Sequence, residues 1–318
     1  MINFRFHVVS LIAIFLALAL GVVIGAGVID RGVVDTLNSR LDRVESKSDR
    51  ISKENDALTD RNKQTESMIG DLQPFAVSGR LLGDDVGVVA VRGVDGGRVT
   101  AVVTAAQQAT ATATGTLWLE NKWALADANS VKALQDVLGT TTKNKASLRT
   151  EGLQKLAQRL GAPEARADGE QDLLVALQDA GFLGFDAVGN STITSFPGRG
   201  AGIVLVVGNG ESVDPASVTV TAAKAFHTAD VPLVVASVWK EVTDGPDRAA
   251  AVQPIRDNNE LASTVSTVDD LDLVEGPTTV VLALSDLFLL PKPVVGHYGY
   301  GPNAKPLPDP TPAGSASS

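Results

Sequence analysis

The chain of 318 residues has no cysteine, two methionines and three histidines, and aromatic residues make up only 4% of it. Without cysteine there is no disulfide framework, no thiolate nucleophile and no soft-metal thiolate site. Met1 and Met68 do not make a thioether cluster, and His7, His227 and His297 show no ligand spacing. Basic residues are outnumbered, 27 Lys and Arg against 37 Asp and Glu, for a net charge of −10. No basic stripe is present, so a nucleic-acid partner is excluded as an expectation.

The usual catalytic and nucleotide signatures are missing as well. There is no Walker sequence and no Gly-x-Ser-x-Gly elbow. The best phosphate-turn candidate is Gly208-Asn209-Gly210 after an apolar run, but Val213 stands where the third glycine belongs. Gly198, Gly200 and Gly202 precede a strand and read as a turn. Asp269, Asp270 and Asp272 could offer oxygens to a hard cation, yet nothing supplies the Gly and Glu of an EF-hand loop, so a solvated acidic turn is expected. Asn190-Ser191-Thr192 fits a glycosylation acceptor, a short pattern that recurs by chance. The chain is expected to be no enzyme and to hold no resident cofactor.

What the sequence does have begins with residues 8–29, which carry no charge and one hydroxyl, Ser10. At 1.5 Å per residue this run covers roughly the 30 Å of a hydrocarbon core. An uncleaved single-pass anchor (1–30) is expected over a signal peptide, whose apolar part is shorter; Gly25-Ala26-Gly27 is a weak cleavage site. Charge does not orient it, because Arg5 precedes the span while Arg31, Arg40 and Arg43 follow. The short leader does, placing everything downstream on the extracytoplasmic side. Ala17, Gly21 and Gly25 recur every fourth residue and would let two spans approach closely.

Residues 31–74 read as a coiled coil. A heptad runs unbroken over 34–72, with Val34, Leu41, Ser48, Asn55, Asn62 and Ile69 at a, and Leu37, Val44, Ile51, Leu58, Thr65 and Leu72 at d. Asparagine at a favours two strands in one register, so a parallel homodimer is expected, its seam made by those apolar residues with Asn55 and Asn62. Arg40 at g would face Glu45 at e of the partner, and Arg61 would face Glu66. Pro74 should stop the helix.

Residues 75–291 alternate short apolar runs with helical stretches. The runs 86–91 (VGVVAV), 202–207 (GIVLVV), 231–238 (VPLVVASV) and 278–284 (TTVVLAL) suit strands covered on both faces. Helical spacing fills 98–112, 130–138, 153–160, 171–180 and 216–227. The expected fold class is α/β, a doubly wound, Rossmann-like, mostly parallel sheet. Residues 292–318 form a Pro- and Gly-rich tail, expected to be disordered from about Asp309.

Taken together, the leader MINFRFHVVSLIAIFLALALGVVIGAG, the coiled coil, Ser266-Thr267-Val268-Asp269-Asp270 and the closing His297-Tyr298-Gly299-Tyr300-Gly301 resemble the actinobacterial MctB family, over essentially the whole chain. The resemblance implies an envelope protein of copper transport, through efflux or permeability, that keeps intracellular copper low, with copper bound by family likeness only. Another member, SteB, resembles a membrane partner of SteA in septal wall hydrolysis and cell division. That implies an alternative, a non-enzymatic, membrane-anchored dimeric scaffold for a SteA-like protein. A pore sits awkwardly with the residues: a membrane β-barrel needs strands alternating apolar and polar, and the anchor has no polar face to line a lumen.

Overall fold

The computed structural model describes residues 4–27, 31–162, 171–208, 215–239, 247–289 and 292–309. They fall into two compact units, Met1–Thr65 and Glu66–Ser318.

Helix α1, Phe4–Gly27, begins a turn ahead of the apolar run, taking in Arg5 and His7. Its part Phe4–Gly25 is long and apolar enough to cross a membrane, and none of that stretch is buried against the rest of the chain. A helix apolar all round and uncovered by protein suits lipid. Helix α2, Arg31–Val77, runs for 47 residues, a length of about 70 Å. It corrects the expected stop at Pro74. A proline here forfeits only the bond to the Gly70 carbonyl, in the last turn, where that cost is smallest. Val77 is fully buried, and Ser78 N–H donates to Pro74 O at 3.1 Å, so packing carries the helix onward.

The remaining chain builds a seven-stranded sheet: β1 Asp85–Val91, β2 Thr112–Leu119, β3 Leu183–Ala187, β4 Gly202–Gly208, β5 Leu233–Val238, β6 Ser266–Val268 and β7 His297–Tyr298. Their spatial order is β3-β2-β1-β4-β5-β6-β7, and every neighbouring pair is parallel except β2 with β3. β4 and β5 are buried at every position and β1 at all but its first, as their unbroken apolar runs require.

The helices are α3 Gly96–Gln108, α4 Ala128–Leu138, α5 Lys145–Gly161, α6 Leu173–Asp179, α7 Pro215–Thr228, α8 Gln253–Arg256, α9 Asn259–Ala262 and α10 Gly276–Leu287. α3 and α10 pack on each other and on the sheet; α5 and α7 form another packed pair, with α7 against β4 and β5.

Two assignments change. The run 278–284 is not a strand but the body of α10, with Pro277 at its start and Val280, Val281, Ala283 and Leu284 buried. A short apolar run has no periodicity that separates a buried strand from a buried helix; proline at the first turn was the available signal. The helix expected over 98–112 ends at Gln108 because Thr110 takes a left-handed φ of 68°, after which the chain enters β2. β2, β3, β6 and β7 are all additions. β2 carries threonines and Gly115 rather than an unbroken aliphatic run, and β6 and β7 have three residues and two.

Candidate functional site

The two downstream segments that carry the family resemblance meet in space. β7 adds to the edge of β6, pairing Thr267 with His297 and Val268 with Tyr298. Thr267 N–H donates to Gly296 O at 3.0 Å, and Asp269 N–H donates to Tyr298 O at 3.1 Å. Just past the end of β6, the Asp269 side chain is wholly buried. Its carboxylate accepts from Tyr300 N–H at 2.7 Å and Gly301 N–H at 3.1 Å, and pairs with Arg256 Nη1 at 2.8 Å. Arg256, on α8, donates through Nε to Thr267 Oγ1 at 2.8 Å and through Nη2 to Tyr298 O at 3.1 Å. A buried ion pair persists only when such bonds occupy its remaining donors and acceptors.

This arrangement explains the alternation of glycine and tyrosine. Gly299 has φ 119°, and a Cβ there would collide with the Asp269 carboxylate; one on Gly301 would stand 2.8 Å from Asp269 Oδ2. The backbone must come this close for its amides to reach the carboxylate, so both positions need glycine. Tyr298 is buried and its hydroxyl is pushed up to about 12, first by burial. Tyr300 stays exposed and its hydroxyl donates to Glu275 Oε1 at 2.8 Å.

Asp270 is also wholly buried, and neither carboxylate oxygen has a hydrogen-bond partner. Burial first, then the negative charges of Asp269 and Glu275, push it up to about 7. Asp272 is engaged by Arg248 through two bonds of 2.8 and 2.9 Å, and that guanidinium lies 4.3 Å from the Trp239 ring centre. The expected solvated acidic turn is therefore corrected. Asp269 and Asp270 are core residues, and Asp272 is half-buried on an arginine. Among the described residues no three His, Cys, Asp or Glu side chains come together as metal ligands. Through these bonds the C-terminal segment is tied to the sheet edge.

The histidines lie in separate surroundings. His227, in the last turn of α7, sits with Nε2 3.4 Å from Glu260 Oε1 and lines a cavity of about 350 Å³ with Asp230, Val265, Leu287 and Val295. His297 Nδ1 is 2.9 Å from Thr267 Oγ1; burial, then the Arg256 charge, hold its pKa below the usual value. Gly198 O accepts from Ala201 N–H at 3.1 Å and Gly200 has φ 90°, the turn expected there. Gly208 closes β4 with φ 142°, while Asn209, Gly210 and Val213 lie outside the described residues.

Of the expected dimerisation residues, Gly21 and Gly25 face open space, with nothing within 4 Å of a Cβ at either. Leu37, Leu41, Val44, Ile51, Leu58 and Leu72 are exposed large apolar side chains, and Asn55 and Asn62 are exposed beside them. Ile69 is half-buried. Arg248 and Arg256, which organise the acidic segment, carried no signal in the sequence. Each is a single arginine in a short loop or a one-turn helix, and only the fold brings it to its aspartate.

A family model described as "Copper transport outer membrane protein, MctB" matches residues 1–308. The chain is similar to the "Copper transporter MctB" of Mycobacterium tuberculosis (strain ATCC 25618 / H37Rv), 28% identical over 96% of this chain and 98% of that protein. It is 30% identical to the protein of the same name from Mycobacterium leprae (strain TN), again over 96% and 98%.

Proposed function

This chain belongs to the MctB family of copper transport outer membrane proteins, and from that membership we propose that it serves copper homeostasis at the cell envelope, through efflux or control of permeability. One observation carries the reading: the match runs from the anchor through the C-terminal segment rather than resting on the α/β domain alone. The anchor is read as a single pass, with the coil and the α/β domain on the extracytoplasmic side. Strand order, with crossover helices packed as α3 with α10 and α5 with α7, supports a doubly wound, Rossmann-like domain.

The exposed apolar positions on α2 repeat with the heptad, which supports a parallel coiled-coil homodimer, since an uncovered stripe of that length would be costly in water. Copper in this reading is cargo, and no catalytic step is assigned to the chain. With no cysteine and so few methionines and histidines, the chain offers little soft-metal chemistry. That scarcity favours a second reading, a dimeric scaffold that holds a SteA-like partner and regulates septal wall hydrolysis in cell division.

The test is a deletion strain grown on graded copper, complemented by the full chain. The deletion should raise both copper sensitivity and cell-associated copper, and the full chain should restore both. Unchanged copper tolerance together with abnormal septa would overturn the copper reading and leave the scaffold reading standing.

A further inference from the structure

Toward its carboxyl end, α2 turns one face to its own α/β domain. Gly70 is half-buried, and a Cβ there would stand 3.8 Å from Val274 Cγ2. Gln73 Nε2 donates to Gln108 Oε1 of α3 at 3.1 Å, and Val77 is fully buried. At about 100° per residue, Met68, Leu72 and Phe75 fall together on a different face. They are exposed by 58, 53 and 81%, and Leu82, in the turn beyond the helix, by 76%. Several large apolar side chains left uncovered this close together mark an interface.

The register says what covers them. Continuing the heptad, Leu72 stands at d, and Met68 and Phe75 stand at g. In a parallel two-stranded coil, d meets d, and a g residue lies against the e residue five positions further along the other helix. For Met68 that residue is Gln73 of the partner subunit, whose equivalent in this chain ties α2 to α3. The g face of one copy is thus delivered to the place where helix and α/β domain join in the other. We propose that Met68, Leu72 and Phe75 form the domain-proximal end of the dimer interface, packed against the α2–α3 junction of a second copy. The proposal rests on the parallel-coil reading above and extends the interface from the coil to the folded domain.

The absence of cysteine makes the test clean, because any introduced thiol is the only one present. Full-length protein in membranes would carry Leu58→Cys, which probes the coil, or Leu72→Cys, which probes its domain-proximal end. A third sample would co-express differently tagged M68C and Q73C chains. Oxidation should give disulfide-linked dimers of both single variants, and a short bis-maleimide should join the two tags in the third. If Leu58→Cys crosslinks while Leu72→Cys and the tagged pair do not, the coil stands and the proposal falls. Failure of Leu58→Cys as well would sink both.

Discussion

Replacing Arg256 by methionine removes the cation from the buried pair and leaves the Asp269 carboxylate with only the amides of Tyr300 and Gly301. Both side chains are almost completely buried, 2% and 0% exposed, so solvent cannot compensate. Removing one partner of a buried ion pair typically costs about 3–5 kcal/mol. At roughly 2–4 °C per kcal/mol for a domain of this size, the melting temperature should fall by about 10 °C. Asp269→Asn should cost a comparable amount, because it leaves the guanidinium unpaired. The double variant R256M/D269N should recover part of the loss, since no uncompensated charge stays buried, and the cycle isolates the pair's coupling. Thermal unfolding of the full chain in detergent gives the magnitude, and hydrogen exchange at Tyr300 and Gly301 locates it. A loss under about 1 kcal/mol for Arg256→Met, with those amides still protected, would refute the claim that this pair holds the C-terminal segment.

Asp270 gives a pH signature. Its folded pKa is raised to about 7 from 3.8, so between those values the unfolded chain has released a proton that the folded chain still holds. Stability therefore falls as pH rises from about 4 through about 7, by an amount on the order of 4 kcal/mol, and is then flat in this group. Asp270→Asn should flatten that slope in denaturant titrations at pH 5, 6, 7 and 8; an unchanged slope would clear Asp270 of responsibility. Gly299→Ala adds a Cβ at φ 119° against the Asp269 carboxylate and should cost about 2 kcal/mol or more, read by chemical denaturation. If α2 pairs as proposed, changing Asn55 and Asn62 together to leucine should raise its melting temperature while broadening its oligomeric state in analytical ultracentrifugation.

The apolar helix α1 and the long helix α2 were legible because each rests on a repeated local pattern that needs no distant partner to be recognised. The long strands β1, β4 and β5 were legible for the same reason, as unbroken aliphatic runs. Where one stretch fits two structures, sequence alone does not choose between them. TTVVLAL suits a buried strand or a buried helix equally well, and Pro277 marked the difference. Asp269 and Asp270 look like a hydrated turn in a list of letters, because aspartate is seldom buried and nothing adjacent announces a cation.

By itself, then, the sequence determined a helix long and apolar enough to cross a membrane, a long polar-surfaced helix and an α/β core, since hydropathy and period act over a few turns of chain. Only the tertiary structure decided that Asp269 is buried against Arg256 and that Gly299 and Gly301 let the backbone reach it. It also decided that helix α2 runs on past Pro74. Burial and ion pairing depend on which distant elements arrive at the same place: the cost of hiding a carboxylate is offset only by an arginine and two amides far from it in sequence.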